Sequence, residues 1–569
     1  MTASTFGLLT DRRVKLGLTF VVAFCSIAYE LVYSEFLTVF YGGTVLRYSI
    51  TIGLYMFSLG VGAFLSPQLG DTESNFLRTE VYLALAGPLG AGLIVGVNAF
   101  PAVTFPGKYE LGLAVSHVPI LVVGLLSGFE IPLLEDLVAD RDGGVFGRLG
   151  HLPRRGAARV LGVLFAVEPS DNDALSEVLG VDYLGSLAGT VVYALVLYPD
   201  HGLVVSVLAL GLLNALAALT FAAWTLSDVT RLSRPSAGRW RVLVVVGLLV
   251  SGSYAGLVAN GQTVDRYVTG SYVEDEITSE YRPGNVDVTV REYRTTAYQR
   301  ITVYDRNVTA HEGTERCLRL DGAIQLCDSW VDSYHAGLVD VPVSAYENRS
   351  SLDVLLVGGG DYVAVDHLRR YDADVDQVDI DGEFLQYARE DPYVRQFNDE
   401  AYRYDRLNTT VGDAVEYLRG SERRYDLILL DLPGARSDDA LGLYSTEFYR
   451  LLRGHLTERG LVATWTYSKY ADAEHHAAYV NTVHAAGFDR FAPYDVYEDL
   501  DGDGDEERGE RFYVLSDGPT PAFDLDRAEG EYVRRHADRI GPVEWRRLPR
   551  YRGVEPNSVF DPNYDIVIE

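Results

Sequence analysis

Ser351-Leu-Asp-Val-Leu-Leu-Val-Gly-Gly-Gly-Asp361 decides the fold of the second half of this chain. A short apolar run of strand length ends in three glycines and an acid. Glycines at that place let the backbone approach a ligand where a Cβ would collide. A helical stretch carrying Val363, Val365, His367 and Leu368 follows, then a second strand with its tip, Asp376-Gln-Val-Asp-Ile-Asp381. Tyr425-Asp-Leu-Ile-Leu-Leu-Asp431 and Gly460-Leu-Val-Ala-Thr-Trp465 read as further strands, with helical stretches between them. The expectation for 351–515 is a doubly wound α/β domain, Rossmann-like and of the methyltransferase type. Ligands bind such sheets beyond the carboxyl ends of the strands.

Toward the N terminus, residues 262–350 read as a small β domain. Val286-Asp-Val-Thr-Val290, Arg300-Ile-Thr-Val-Tyr304 and Cys317-Leu-Arg-Leu320 are β-branched or alternating, with polar turns between. Cys317 and Cys327 flank the turn Leu320-Asp-Gly322. Two readings stand: a hairpin disulfide suited to an oxidising compartment, or two small buried hydrophobes. The stretch 516–569 is expected to be a C-terminal tail, helical around 531–537 and then irregular.

The first 261 residues have a different solvent. Seven apolar segments, at 16–39, 46–68, 81–100, 115–135, 181–199, 203–225 and 242–260, are long enough to cross a bilayer, where about twenty residues suffice. A multi-pass α-helical membrane domain is therefore expected, in the cell membrane. Glu30, Glu35, Glu130, Asp182 and Asn214 lie in or at these segments and are expected at the bundle interior or its rim. With the N terminus inside, the inner loops hold thirteen basic residues and the outer loops only Arg47 and Lys108. Seven crossings then place the second half outside the cell.

The formal charge is −31, with 80 acidic against 49 basic residues, and lysine occurs only at 15, 108 and 469. Such a surface repels nucleic acid, so none is expected as a partner. It is the balance expected of a protein adapted to high salt, where screening tolerates self-repulsion.

Acids punctuate the strand ends. Asp379 follows the glycine loop by about twenty residues, a spacing suited to a ribose diol. Gly412-Asp413-Ala414 ends another short strand, where an aspartate can read the amino edge of adenine. Asp361 and Asp431 point into the same crevice. Carboxylates without a phosphate-loop lysine favour a nucleoside with a cationic centre over a nucleotide.

These residues resemble the spermidine synthase family, the polyamine aminopropyltransferases, over 295–515. The resemblance rests on Thr296-Ala-Tyr-Gln-Arg-Ile-Thr-Val303, Leu320-Asp-Gly-Ala-Ile-Gln325, Tyr334-His335, Val341-Pro342, Gly412-Asp-Ala414, Asp431-Leu-Pro433 and Leu443-Tyr-Ser-Thr-Glu-Phe-Tyr449. Tyr29-Glu30, Gly53-Leu-Tyr-Met-Phe-Ser-Leu-Gly60 and Glu130-Ile-Pro132 resemble the membrane extension of the family's membrane-bound branch. The resemblance implies aminopropyl transfer from decarboxylated S-adenosylmethionine, a co-substrate, to a small cationic amine. Asp431 would be the catalytic base. Gln299, Gly358, Gly359, Asp379, Asp413 and Ala414 would hold the nucleoside, and Tyr298, His335 and Asp361 would face the amine.

Two departures stand out. The family's second loop aspartate is Gly434 here, near Arg436, and its glycine after the acid is Tyr362. A non-catalytic nucleoside or polyamine sensor and an S-adenosylmethionine-dependent methyltransferase are the alternative functions. Asp499, Asp501, Asp503, Asp505 and Glu510 have the spacing of a calcium loop, set against the reading of a solvated hairpin. No tightly bound cofactor is expected. The lipid bilayer is the other expected partner, and a homodimer is compatible with the sequence.

Overall fold

The computed structural model describes residues 11–41, 45–98, 108–139, 174–226, 237–279, 286–308, 313–321, 323–328, 331–349, 351–434, 438–468, 473–498 and 505–564. The chain divides into two compact units, Met1–Glu276 and Ile277–Glu569.

The described residues of the first unit are helical. The helices are α1 (Asp11–Tyr41), α2 (Val45–Leu65), α3 (Thr72–Asn98), α4 (Lys108–Ser116), α5 (Val118–Ala139), α6 (Ala174–Val192), α7 (Tyr198–Leu226), α8 (Ala237–Ala259) and α9 (Gly261–Ser279). Among the described residues, six stretches are long and apolar enough to cross a membrane, and the fifth, Leu175–Leu226, runs for 52 residues. At about 1.5 Å per residue it is more than twice the ~30 Å hydrocarbon layer. Gly202 breaks it, with φ 72° and ψ 178°. The stretch therefore accommodates both crossings expected at 181–199 and 203–225.

The first correction concerns residues 262–279, expected to open the small β domain. They form α9 instead. The buried positions Val273 and Ile277 lie four apart, one helical turn.

In the second unit, β1 (Val286–Thr295), β2 (Arg300–Val308), β3 (Glu315–Leu320) and β4 (Ala323–Cys327) form an antiparallel sheet in sequential order. Cys317 faces Cys327 across the β3–β4 pair, and a disulfide joins them. Beyond β4 the region expected as β turns helical over 331–343, beginning with α10 (Val331–His335). Its buried residues Leu338, Val339, Val341 and Val343 belong to the same core as the large sheet.

That sheet has eight strands: β5 (Asp353–Gly358), β6 (Asp374–Asp379), β7 (Leu407–Val411), β8 (Tyr425–Asp431), β9 (Leu456–Ser468), β10 (Arg490–Glu498), β11 (Glu507–Ser516) and β12 (Arg546–Arg547). Their order is β12-β10-β11-β9-β8-β5-β6-β7. The pairings β8–β9, β5–β8, β5–β6 and β6–β7 are parallel, and those of β9–β11, β10–β11 and β10–β12 are antiparallel. Val354 and Leu356 enter one core, Leu355 and Val357 the other. Burial on both faces is why β5 reads as an unbroken apolar run. Three short helices follow strands: α11 (Val363–Arg369), α12 (Gly382–Glu390) and α13 (Ala414–Arg419).

The C-terminal stretch packs onto this unit. Its helix spans Glu531–Ile540, β12 extends the sheet, and Asn557 is buried, donating to the carbonyls of Leu441 and Tyr444. A second correction concerns the calcium loop. Asp499, Asp501 and Asp503 lie outside the described residues. Asp505 is exposed, and antiparallel strands flank the loop where such a motif has helices. Glu510 sits within β11 with a buried carboxylate oxygen beside Glu498.

Candidate active site

The site forms where the strand order reverses, between β5 and β8. Parallel pairing sets Gly358, the last residue of β5, beside Asp431, the last of β8. The glycines keep this approach open. Gly358 has φ +85°, and a Cβ there would lie 2.0 Å from the Asp431 carbonyl oxygen. A Cβ on Gly359 would stand 3.2 Å from Asp431 Oδ2, and one on Gly360 2.9 Å from Asp379 Oδ2. The loop thus runs between two carboxylates with no room for side chains. Buried Gln377 holds it by donating from Nε2 to the carbonyls of Gly358 (3.2 Å) and Gly359 (2.7 Å).

Asp431 is held on one side only. The Tyr334 hydroxyl donates to its Oδ1 at 3.1 Å, whereas Oδ2 is buried and has no hydrogen-bond partner. His335 Nε2 lies 4.0 Å from that Oδ2 and 3.7 Å from Asp361 Oδ2. Burial pushes the Asp431 carboxyl up to about 7. His335 opposes this rise, the nearby Asp361 charge adds to it, and the Tyr334 hydrogen bond opposes it. Burial raises the Tyr334 phenol well above its ordinary value, so it stays a neutral donor. The loop after Asp431 is pinned by Trp465 Nε1 to the Leu432 carbonyl (2.8 Å) and by the Tyr444 hydroxyl to the Pro433 carbonyl (2.6 Å).

Facing atoms of His335, Asp361 and Asp431 lie within 4.8 Å of one another, a cradle for one small cation. Glu315, Cys317 and Cys327 are also close together, but the disulfide removes both thiolates from ligation.

Asp379, at the end of β6, is pushed up to about 6 by burial, while the Asp381 N–H, bonded to its Oδ1 at 2.8 Å, opposes the rise. Gln299 does not reach Asp379 directly. Its Nε2 donates to Asp381 at 2.8 Å, beside the Thr296 hydroxyl at 2.6 Å, joining the small sheet to the start of α12. Asp413 is exposed at the end of β7 and caps α13 through the Glu416 N–H. Ala414 is buried as that helix's first residue. Tyr298 is 56% exposed and makes none of the contacts of the Asp431 cluster.

Tyr362 is a local surprise. It has φ +64°, which explains why a glycine suits this position. Its fully buried side chain packs beside Tyr402, and its hydroxyl accepts from Arg389 Nε at 2.8 Å. It is held among core side chains, while Gly434 leaves the Asp431 loop without a second carboxylate at that position. Arg436 lies outside the described residues.

Sequence reasoning missed Tyr334 as a partner of Asp431, although its place beside His335 was a usable signal. It also missed a second acidic pair behind α10. Glu498 accepts from the Ser333 hydroxyl at 2.9 Å and is pushed up to about 7 by burial. Glu510 is pushed up to about 8, by burial and then by the Glu498 charge. Ser333, Tyr334 and His335 are consecutive, so one short helix joins this pair to Asp431.

The Spermine/spermidine synthase domain family matches residues 331–497. The polyamine aminopropyltransferase of Mycobacterium tuberculosis is 27% identical over 519 residues, 90% of this chain and 87% of that protein. That alignment is longer than the whole second unit, so it extends into the membrane unit. The polyamine aminopropyltransferase of Oceanobacillus iheyensis is 26% identical over 444 residues, 77% of this chain and 75% of its own. A solved spermidine synthase from Thermotoga maritima gives a TM-score of 0.35 at 20% identity, over 46% of this chain and 80% of that one. The chain is therefore spermidine-synthase-like and carries membrane-length helices.

Proposed function

We propose that this protein transfers the aminopropyl group of decarboxylated S-adenosylmethionine to an amine and releases methylthioadenosine. The observation that carries the proposal is Asp431: one carboxylate oxygen is held by Tyr334, and the other is buried, unpartnered and turned toward His335 and Asp361. Such an oxygen suits an ammonium group. With its pKa near 7, the carboxylate can accept a proton at neutral pH.

In the reaction, the amine nitrogen attacks the propyl carbon bonded to the sulfonium. An N–C bond forms, the C–S bond breaks, and its electron pair stays on sulfur as a neutral thioether. The proton leaving nitrogen goes to Asp431. If the sheet works as a doubly wound, Rossmann-like one, the nucleoside would lie at the reversal of strand order, over the glycine loop. Asp379 would hold the ribose, and Asp413 with Ala414 the adenine. Gln299 supports this side through Asp381.

The acceptor differs from a simple diamine held by two aspartates, because Gly434 offers no carboxylate. Glu498 and Glu510 would take the far ammonium instead. Burial pushes these two carboxyls up to about 7 and 8, and a cation between them would favour their ionised forms. An acidic crevice also suits two cationic substrates.

The test is turnover by the full chain, in high salt, with a panel of amines and both sulfonium donors. Methylthioadenosine formed with an amine supports the proposal. S-adenosylhomocysteine formed from S-adenosylmethionine would make the protein a methyltransferase. Nucleoside binding without either product would make it a sensor.

A further inference from the structure

The membrane unit has its own buried polar centre, which the reaction does not use. Glu80 on α3, Glu130 on α5 and Asn214 on α7 are 0%, 2% and 1% exposed. Asn214 Nδ2 donates to Glu80 Oε2 at 2.9 Å. The Glu80 and Glu130 carboxyls interact directly with each other, and Ser127 stands one turn before Glu130, beside its carboxyl. Glu80 lies eight residues from the start of its membrane stretch and Glu130 eight from the end of the next. On consecutive crossings that is a common depth, about 12 Å in from one end.

Four oxygen atoms here are buried without a hydrogen-bond partner: Glu80 Oε1, Glu130 Oε1, Asn214 Oδ1 and Ser127 Oγ. A buried oxygen without a partner costs on the order of 1–3 kcal/mol, and a carboxylate in lipid costs more. A purely structural clasp between helices would be expected to satisfy these atoms. The other titratable groups facing the pair are Asp182 on α6, Cys25 and Tyr29 on α1, and Tyr55 on α2. None of them is a cation.

We propose that Glu80, Glu130, Asn214 and Ser127 form an intramembrane binding site for one hard monovalent cation, of which sodium is the natural probe. The donors are all oxygens, the set that hard cations prefer. A cation among these side chains would give the unpartnered oxygens the partner they lack, and a monovalent one leaves no excess positive charge to bury beside two carboxyls. Three helices from separate crossings supply the ligands, so occupancy ties α3, α5 and α7 together. The site is independent of the aminopropyl chemistry.

The test is equilibrium binding of radioactive sodium to the full-length protein in lipid nanodiscs, with choline as the background cation. Saturable binding of one sodium per chain, displaced by lithium and not by further choline, is expected. Losing even an outer-shell partner lowers metal affinity on the order of 10–100-fold, so Glu130→Gln and Asn214→Ala should weaken binding at least about tenfold. Glu30→Gln, which alters another buried carboxyl on α1, should bind like wild type. The melting temperature of the wild type should rise with sodium relative to equal choline, a readout that needs no variant. No saturable binding together with no sodium-dependent melting shift in the wild type would overturn the proposal. So would Glu30→Gln weakening binding as much as Glu130→Gln.

Discussion

Tyr334→Phe removes the hydrogen bond that holds one oxygen of Asp431. The hydroxyl donates to Asp431 Oδ1 at 3.1 Å, and this bond favours the ionised carboxylate. Its loss must therefore raise the Asp431 pKa above about 7. A hydrogen bond to a charged group is worth about 1.5–3 kcal/mol, and 1.36 kcal/mol corresponds to one pKa unit, so the rise is about 1–2 units. The base works only when deprotonated, so activity climbs with pH through its pKa. The rising limb of the kcat/KM profile should move up by about 1–2 units, and the rate at pH 7 should fall about 5–50-fold. At high pH the variant should approach wild type, which a merely misfolded enzyme would not do. The assay is methylthioadenosine release against pH for both proteins with the same amine. An unmoved limb with a uniformly lower rate would refute the role given to Tyr334, and a downward shift would refute the electrostatic reasoning itself.

Gly358→Ala should destabilise the second unit and abolish turnover, because φ +85° costs about 1–2 kcal/mol for a residue with a Cβ and that Cβ would meet the Asp431 carbonyl at 2.0 Å; wild-type turnover would contradict this. Asp379→Ala should weaken methylthioadenosine binding by on the order of 1–3 kcal/mol in calorimetry, if a ribose diol loses its acceptor; unchanged binding would remove Asp379 from the nucleoside site. The basic-residue asymmetry predicts an external second unit, a compartment in which the Cys317–Cys327 disulfide would persist. An impermeant maleimide should then label Glu422→Cys on intact cells, at an exposed position; protection until lysis would place the unit inside.

The fold was legible where burial leaves a periodic trace. The run before Gly358 announced a strand buried on both faces, and the apolar stretches announced the crossings. Residues 262–279 were assigned with the strands that follow them, and only two buried side chains one turn apart, Val273 and Ile277, mark them as helix. Asp361, His335 and Asp431 were legible by motif and do converge. Tyr334, Gln377 and the Glu498–Glu510 pair were harder, since their roles follow from contacts between distant strands. Glu510 shows the hazard of spacing: it fits the last position of a calcium loop, yet it lies in β11 with a buried carboxylate oxygen.

The most direct test of the central claim is methylthioadenosine release by Asp431→Asn beside wild type, with decarboxylated S-adenosylmethionine and the best amine of the panel. The substitution keeps the shape of the side chain and removes the base. The account predicts a fall of about 10²–10⁴-fold in kcat, with methylthioadenosine binding retained. Full turnover by Asp431→Asn, or no methylthioadenosine from wild type with any amine, would contradict it.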